Sequence, residues 1–186
     1  MNILVLGNGG REHAFSWKIS QSPLFKQLYI APGNAGTAEL GENIDLNVND
    51  FPGIAQFVIE HQIELVVVGP EDPLVNGISD FFKADERLEK VGIVGPSRAG
   101  AQLEGSKDFS KKFMEKHQIP TARSKTFTKE SLEEGLNYVS SHPTPVVLKA
   151  DGLAAGKGVI IAETQDQARE TLKEMLVDAK FGTASS

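Results

Sequence analysis

The sequence predicts an α/β protein in which a doubly wound parallel sheet domain is followed by a small α+β lobe. Two observations predict this fold class. Short apolar runs alternate with helical segments through the first part of the chain, which is typical of a parallel sheet with helices on both faces. Near Gly105 the alternation stops, and two short β-branched runs then flank a glycine-rich loop. We therefore place one domain at residues 1–105 and a second at residues 106–186.

The strands and helices of the first domain follow from local patterns. Leu65–Val68 is apolar at every position, as expected of a central parallel strand, and it stops at Gly69 and Pro70. Asp50 and Pro52 together mark the start of a helix. The predicted elements are strands at 3–6, 28–31, 65–68 and 92–95, and helices at about 11–21, from 50 onward and at about 74–84.

The second domain begins with a helix that Ser106 can cap. Its apolar residues Phe109, Phe113 and Met114 recur at helical spacing and are expected to face inward, and Pro120 lies beyond its end. The remaining predicted elements are strands at 124–127, 145–150 and 159–163 and helices at about 129–140 and 165–178.

Composition and charge exclude several function classes. The chain has 186 residues, a formal net charge of −6 and no cysteine. An acidic chain lacks the basic field that nucleic acids or anionic membranes require, so we expect neither as a partner. The four histidines are scattered without the spacing of metal ligands. The N-terminal apolar run lacks the basic start of a signal peptide, and nothing approaches a transmembrane length.

The segment KADGLAAGKGV, residues 149–159, suits a polyphosphate ligand. Its glycines leave backbone N–H groups free, and Lys149 and Lys157 supply positive charge. It is not a Walker A loop, because the spacing to Lys157 is one residue short and Gly158 replaces the required serine or threonine. The flanking runs predict strands, so the loop is either a flap over phosphates or a plain glycine-rich hairpin with a solvated lysine.

A second glycine turn, residues 7–10, lies where a predicted strand feeds a helix, so its amides can hold an anion. The dinucleotide fingerprint would need a third glycine where Glu12 stands, so NAD is a poor candidate. Arg11 adds a forked cation, although it could equally be an ordinary surface arginine. Glu71 follows the central strand at the edge where ligands bind, and could grip a hydroxyl or an amine.

Five ordered motifs together resemble the glycinamide ribonucleotide synthetases of the ATP-grasp superfamily. They are GNGGREHA at 7–14, APGNAGTA at 31–38, VGPEDPLV at 68–75, AQLEGSK at 101–107 and KADGLAAGKGV at 149–159. The resemblance implies a pre-ATP-grasp domain followed by an incomplete ATP-covering lobe. It also implies ligation of glycine to 5-phosphoribosylamine with conversion of ATP to ADP and phosphate, in the cytoplasmic pathway of purine biosynthesis.

The resemblance also implies site residues. Those expected at phosphoribosylamine are Gly9, Gly10, Arg11 and Glu71. Those expected at ATP are Lys107, Lys149, Asp151, Gly152, Leu153, Ala154, Ala155, Gly156, Lys157 and Gly158. Neither Lys107 nor Lys149 needs to be a nucleophile, and no catalytic residue is assigned.

Members of this family continue beyond Phe181 and Gly182, where they supply the ligands for Mg²⁺ or Mn²⁺. We therefore expect these residues to be an N-terminal portion that is inactive by itself. Two alternatives remain open: a non-catalytic module that binds a nucleotide or phosphosugar, or another ATP-grasp ligase.

Overall fold

The structure, a computed structural model, describes residues 1–153 and 158–178. The chain divides into two compact units, Met1–Ala101 and Gln102–Ser186. The first unit contains a five-stranded parallel sheet and the second a two-stranded antiparallel sheet. This confirms the predicted class, an α/β domain followed by a smaller α+β lobe.

The sheet of the first unit has the strand order β3-β2-β1-β4-β5. All four of its pairings are parallel, and β1 lies at the centre between β2 and β4. The chain therefore winds outward from β1 in both directions, which makes the sheet doubly wound. The strands are β1 (Asn2–Gly7), β2 (Gln27–Pro32), β3 (Glu42–Asn43), β4 (Leu65–Val68) and β5 (Gly92–Val94).

Four helices of the first unit lie in the crossovers between parallel strands, and a fifth follows the last strand. They are α1 (Gly10–Ile19), α2 (Phe51–Glu60), α3 (Glu71–Asn76), α4 (Ile78–Ala84) and α5 (Arg98–Gly105), and the last continues past the end of this unit. Asp50 caps α2 as predicted, because its carboxylate accepts the Gly53 N–H at 3.1 Å. The single helix predicted at 74–84 is instead two, since Gly77 adopts the left-handed conformation at φ 96° and ends α3.

Apolar side chains cover both faces of the sheet. Leu4 and Leu6 of β1 pack on one face in a cluster with Ile54 and Val58 of α2. Val5, the residue between the two leucines, packs on the other face with Leu28 and Ile30 of β2. Because successive strand residues point to opposite faces, a strand covered on both sides must be apolar where it is covered, as β1 is from Ile3 to Leu6 and β4 is throughout.

Two elements of the first unit have no apolar signature in the sequence. Strand β3 consists of Glu42 and Asn43, which pair with Tyr29 and Ile30 at the sheet edge. Helix α5 has one buried side chain, that of Ala101. Both elements are short and mostly exposed, so tertiary context determines them more than hydrophobic periodicity does.

The second unit packs two helices on one face of its hairpin-like sheet. Leu148 and Ala162 of the sheet lie in one buried cluster with Leu136 and Leu172 of the helices. Its elements are α6 (Lys107–Lys116), α7 (Leu132–Ser141), β6 (Val146–Lys149), β7 (Val159–Ala162) and α8 (Gln165–Leu176).

The strand predicted at 124–127 does not form. Side chains of α6 instead hold this part of the chain. The Lys111 ammonium donates to Thr121 Oγ1 and to Ala122 O, both at 2.7 Å, just before the segment. Within the segment, the Thr126 side chain bonds to the Asp108 carboxylate. Phe127 packs on Tyr138 of α7 with ring centroids 5.4 Å apart. The residues at 124–127 that favour a strand therefore pack through their side chains. Their backbone pairs with no strand among the described residues.

The predicted facing of α6 is also wrong in part. Ser106 caps it as expected, accepting the Phe109 N–H at 3.1 Å. However, Phe109 is 42% exposed and Phe113 36% exposed, and Met114 is only half-buried. Helical spacing identifies which residues share a face, but it does not supply a neighbour for that face to pack on.

We predict that residues 1–105, which keep all of α5, fold without the second unit. The reason is that the five-stranded sheet has its own buried cores on both faces. Urea denaturation followed by circular dichroism should give one cooperative transition, and Leu4→Ala, at a fully buried position, should lower the unfolding free energy by about 2–5 kcal/mol. A gradual, non-cooperative loss of ellipticity in the unmutated fragment would contradict the prediction.

Candidate functional site

A cavity of about 650 Å³ opens at the carboxyl edge of the parallel sheet. Ligand sites of open α/β sheets lie at this edge, beside the strand where the winding changes direction, and here that strand is β1. All four residues expected at the sugar phosphate border the cavity. Its lining consists of Gly7, Asn8, Gly9, Gly10, Arg11, Glu12, Pro32, Asp45, Leu46, Asn47, Val48, Pro70 and Glu71.

Arg11 spans the gap between the turn after β1 and the turn after β4. Its guanidinium donates to the Gly69 carbonyl through Nη1 and to the Glu71 carboxylate through Nη2, the latter at 2.9 Å. This hydrogen bond is the largest cause that holds the pKa of Glu71 below its usual range. The pair is half exposed, with 51% of the Arg11 side chain and 39% of the Glu71 side chain accessible. Arg11 is therefore oriented along the cavity wall and still reaches solvent.

The side chain of Glu12 stabilises the glycine turn at residues 7–10 by a hydrogen bond to its backbone. Helix α1 starts at Gly10, and the Glu12 carboxylate accepts the N–H of Gly9 at 2.6 Å. This is one half of a capping box, since Gly9 has no side chain to complete the other half. The Gly9 amide, which the sequence suggests as a phosphate donor, thus already has a protein acceptor.

The loop after β2 supports the same turn from the side. Asn34 donates through its amide nitrogen to the Asn8 carbonyl at 2.8 Å. Its amide oxygen accepts the N–H groups of Gly36 and Thr37 at 2.8 and 3.1 Å. Thr37, fully buried, donates to the Asn34 carbonyl at 2.9 Å. The APGNAGTA motif therefore acts as a brace for the GNGG turn.

Sequence reasoning missed one wall of the cavity. Asp45 and Asn47, with Leu46 and Val48 between and after them, line it from the segment that follows β3. The strand that positions them is only two polar residues long, so nothing in the local pattern marked a strand end there. Asp45 adds a third carboxylate residue to a cavity that Glu12 and Glu71 also line.

In the second unit, residues at the start of α6 bond to Asp151 and Gly152 of the KADGLAAGKGV segment. The Asp151 carboxylate accepts from Ser106 Oγ at 2.9 Å and from the backbone N–H of Lys107 and Asp108, the latter at 3.1 Å. The Lys107 ammonium donates to the Gly152 carbonyl at 2.8 Å. Asp151 therefore binds the N-terminus of α6, where a negative charge is favoured. Its carboxylate anchors the loop.

Lys149 lies at the end of β6, opposite Val159 of β7. It shares the exposed face of the two-stranded sheet with Val147 and Ile161, since these residues alternate with the buried Leu148 and Ala162. This exposed face therefore presents apolar side chains together with the positive charge of Lys149 at its edge. The Ala150 N–H donates to the Gly158 carbonyl at 2.8 Å, which extends the pairing by one residue.

Four of the residues expected at ATP, Ala154, Ala155, Gly156 and Lys157, lie outside the described residues. Leu153 immediately precedes them and is half-buried. The structure thus brings together Lys107, Asp151 and Gly152.

Two further searches cover only the described part of the chain. Within residues 1–153 and 158–178, no group of three or more His, Asp or Glu side chains is placed to hold a metal ion. Within the same ranges, no helix has the length and apolar character needed to cross a membrane.

Comparison with known proteins gives close relatives of one kind. A phosphoribosylamine–glycine ligase from Haemophilus influenzae is 50% identical over 188 residues, which cover all of this chain and 42% of that protein. One from Yersinia pestis is 50% identical over 186 residues. The chain therefore spans less than half the length of the curated relatives that it matches.

Solved structures give the same fold. The crystal structure of phosphoribosylamine–glycine ligase from Thermotoga maritima matches with a TM-score of 0.72 and 30% identity, over 98% of this chain and 41% of that one. A biotin carboxylase domain from Hydrogenobacter thermophilus matches with a TM-score of 0.68, over 93% of this chain and 40% of that one. At 19% identity the second match shows a shared fold only.

Two sequence models match consecutively along the chain. Residues 1–104 match the N domain of phosphoribosylglycinamide synthetase, and residues 105–186 match its ATP-grasp (A) domain. They follow one another without a gap, in the order of the two compact units. The chain belongs to the phosphoribosylglycinamide synthetase family.

Proposed function

We propose that these residues form part of an ATP-dependent ligase that joins glycine to 5-phosphoribosylamine in purine biosynthesis, a cytoplasmic reaction. One observation carries the proposal: the N-domain and ATP-grasp models of a single ligase family together match the whole chain. Another ATP-grasp ligase would be expected to share the fold without matching the N-domain model. A purely binding module remains an outcome that the first experiment below distinguishes.

The cavity of the first unit suits a sugar phosphate that carries an amine. Arg11 and the amides at the start of α1 offer donors for a phosphate at one wall. Asp45 and Glu71 offer carboxylates to hydroxyl or amine groups. The opposite charges of these groups would orient such a substrate along the cavity. We assign Gly10, Arg11 and Glu71 to the substrate, with Gly9 shaping the turn.

The second unit supplies the proposed ATP site. Lys107 and Lys149 offer ammonium groups to phosphate oxygens, and Lys157, outside the described residues, is proposed to add a third. In the structure the Lys107 ammonium bonds to the Gly152 carbonyl, so ATP would have to replace that contact. Asp151 would act indirectly, because its carboxylate bonds to Ser106 and to the backbone of α6.

The proposed chemistry requires positioning and charge neutralisation. The glycine carboxylate would attack the terminal phosphorus of ATP and release ADP, and the sugar amine would then attack the acyl phosphate, form the C–N bond and release phosphate. Residues of this chain would bind and orient the phosphates, which is most of the work in phosphoryl transfer. Within residues 1–153 and 158–178 no group of three or more His, Asp or Glu side chains is placed to hold Mg²⁺ or Mn²⁺, so none of these residues is assigned to the metal.

Substitution of the lysines proposed to bind ATP tests the proposed function itself. Lys149→Ala, Lys107→Ala and Lys157→Ala, made in the protein that contains these 186 residues, should each lower kcat/KM for ATP. A charge-assisted contact of about 1.5–3 kcal/mol corresponds to a loss of roughly ten- to hundredfold. Glycinamide ribonucleotide formed from glycine, phosphoribosylamine and MgATP is measured by mass spectrometry.

Lys173→Ala is the matched control, because Lys173 is an exposed lysine on α8 of the same unit. It should leave the rate unchanged. Absence of the product in the unmutated protein would overturn the ligase proposal. Wild-type kinetics in all three lysine variants would overturn the site assignment alone.

The second prediction concerns Arg11. Arg11→Ala should raise KM for phosphoribosylamine at least about tenfold, since a lost charge-assisted contact costs roughly 1.5 kcal/mol or more. KM for ATP should stay within about twofold of the wild-type value, because the proposed ATP residues lie in the other unit. Arg87→Ala is the control, since Arg87 also pairs with a carboxylate, that of Asp85 at 2.6 Å, but away from the cavity. A rise in KM for ATP with no change in KM for phosphoribosylamine would show that the cavity does not bind the sugar phosphate.

The third prediction concerns the titration of Glu71. Because the Arg11 hydrogen bond lowers the folded-state pKa of Glu71, Arg11→Ala should raise that pKa toward its usual range. The stabilisation by this pair is present above the ordinary glutamate pKa and is lost as pH falls through the lowered one. Being half exposed, the pair should contribute no more than about 1 kcal/mol.

The pKa is measured by ¹³C NMR of the side-chain carboxyl carbon as pH is lowered. Arg87→Ala should move the pKa of Asp85, which Arg87 lowers by the same kind of bond, and leave that of Glu71 in place. An unchanged Glu71 titration in Arg11→Ala would contradict the ion pair.

A further inference from the structure

Glu12 stands out as a charged residue in the core of the first unit. It is 5% exposed, and among the described residues it is the only charged side chain classed as buried. Burying a carboxylate is costly unless donors satisfy it, so its position requires a specific reason. Its one described hydrogen bond is from the Gly9 N–H at 2.6 Å.

The backbone around Glu12 leaves room for it only because three neighbours are glycine. A Cβ atom on Gly7 would lie 2.6 Å from Glu12 Cγ, one on Gly9 would lie 2.9 Å from Oε2, and one on Gly69 would lie 2.0 Å from Oε1. All three separations are shorter than a Cβ contact can be. The Glu12 side chain therefore fills the space that joins the turns after β1 and β4.

Position 12 is also where a dinucleotide-binding turn would have its third glycine. Gly7 and Gly9 match the first two positions of G-x-G-x-x-G, and Glu12 replaces the last. In such turns the amides and the start of the helix hold a pyrophosphate. Here the protein's own carboxylate accepts the Gly9 N–H and places a negative charge beside the cavity that Glu12 helps to line.

We propose that Glu12 is a specificity-determining residue whose carboxylate acts as a built-in anion at this turn. It holds Gly9 in place and repels a second phosphate group. A single terminal phosphate would meet the start of α1 at Gly10 and the guanidinium of Arg11, which also donates to Gly69 and Glu71. The site thereby discriminates against dinucleotides and other pyrophosphates by charge as well as by shape. This inference concerns binding selectivity, and its test involves no ligase turnover.

A purely structural role for Glu12 would predict something different. If the carboxylate only stabilised the turn, its removal would weaken every ligand or none. If Glu12 determines selectivity, removing its charge should raise the affinity for pyrophosphate relative to the affinity for a monophosphate. The informative quantity is therefore the ratio of two affinities measured on one folded variant.

The experiment uses the ¹⁵N-labelled chain and two probes, inorganic pyrophosphate and ribose 5-phosphate, titrated separately. Only chemical-shift changes at the Gly9, Gly10 and Arg11 amides are fitted, so binding in the second unit does not contribute. In Glu12→Gly, which completes the G-x-G-x-x-G pattern, the affinity ratio of pyrophosphate to ribose 5-phosphate should rise at least about tenfold, since removing a close like charge is worth roughly 1.4 kcal/mol.

Glu12→Gln keeps the shape and an acceptor for Gly9 but removes the charge. It should raise the same ratio about threefold while hydrogen exchange at the Gly9 amide stays at the rate measured in the unmutated chain. Glu89→Gln, an exposed carboxylate in the same unit, is the control for net charge and should leave the ratio unchanged.

Thermal unfolding by circular dichroism establishes which variants are folded. If Glu12→Gly does not fold, Glu12→Gln decides the matter alone. A ratio in the folded Glu12 variants that equals the Glu89→Gln value would overturn the proposal and leave Glu12 as a capping residue only.

Discussion

The first unit depends on the close approach of two adjacent strand ends around the side chain of Glu12. Strands β1 and β4 pair in register up to Leu6 and Val68, and the Gly69 N–H still donates to the Leu6 carbonyl at 3.0 Å. Beyond this point the side chain of Glu12 lies between the turn after β1 and the turn after β4. This arrangement requires glycines where a Cβ atom would collide, and it fixes the turn that begins α1. The side chain that contacts both turns is also one of the residues that line the cavity.

The two units present anion-binding groups in different ways. The first unit combines a braced glycine turn with one guanidinium already oriented by Glu71. The second combines lysines with a loop whose base is tied to α6 through Asp151. Both are local arrangements within a chain of net charge −6, so the overall field opposes anions and any anion site must be local. This is consistent with the small phosphorylated substrates that we propose.

Strong local patterns could be predicted from the sequence, and features set by tertiary contacts could not. β4 occupies the predicted residues because a doubly covered strand must be apolar throughout, and Ser106 caps α6 as expected. The edge strand Glu42–Asn43 has no such pattern, and the segment 124–127 has a strand's composition but no ladder partner. The glycine turn and Arg11, predicted to hold an anion, line the cavity, and their role there remains our proposal. The wall with Asp45 could not be predicted, since it follows that edge strand.

We propose that the sugar phosphate and ATP bind to different units. Chemical-shift mapping of the ¹⁵N-labelled chain tests this, with ribose 5-phosphate and ATP added separately and then together. We expect ribose 5-phosphate to shift the amides of Gly10 and Arg11 and ATP to shift those of Lys107 and Gly152. Each perturbation should persist when both ligands are present. Competition of the two ligands for the same amides would contradict it.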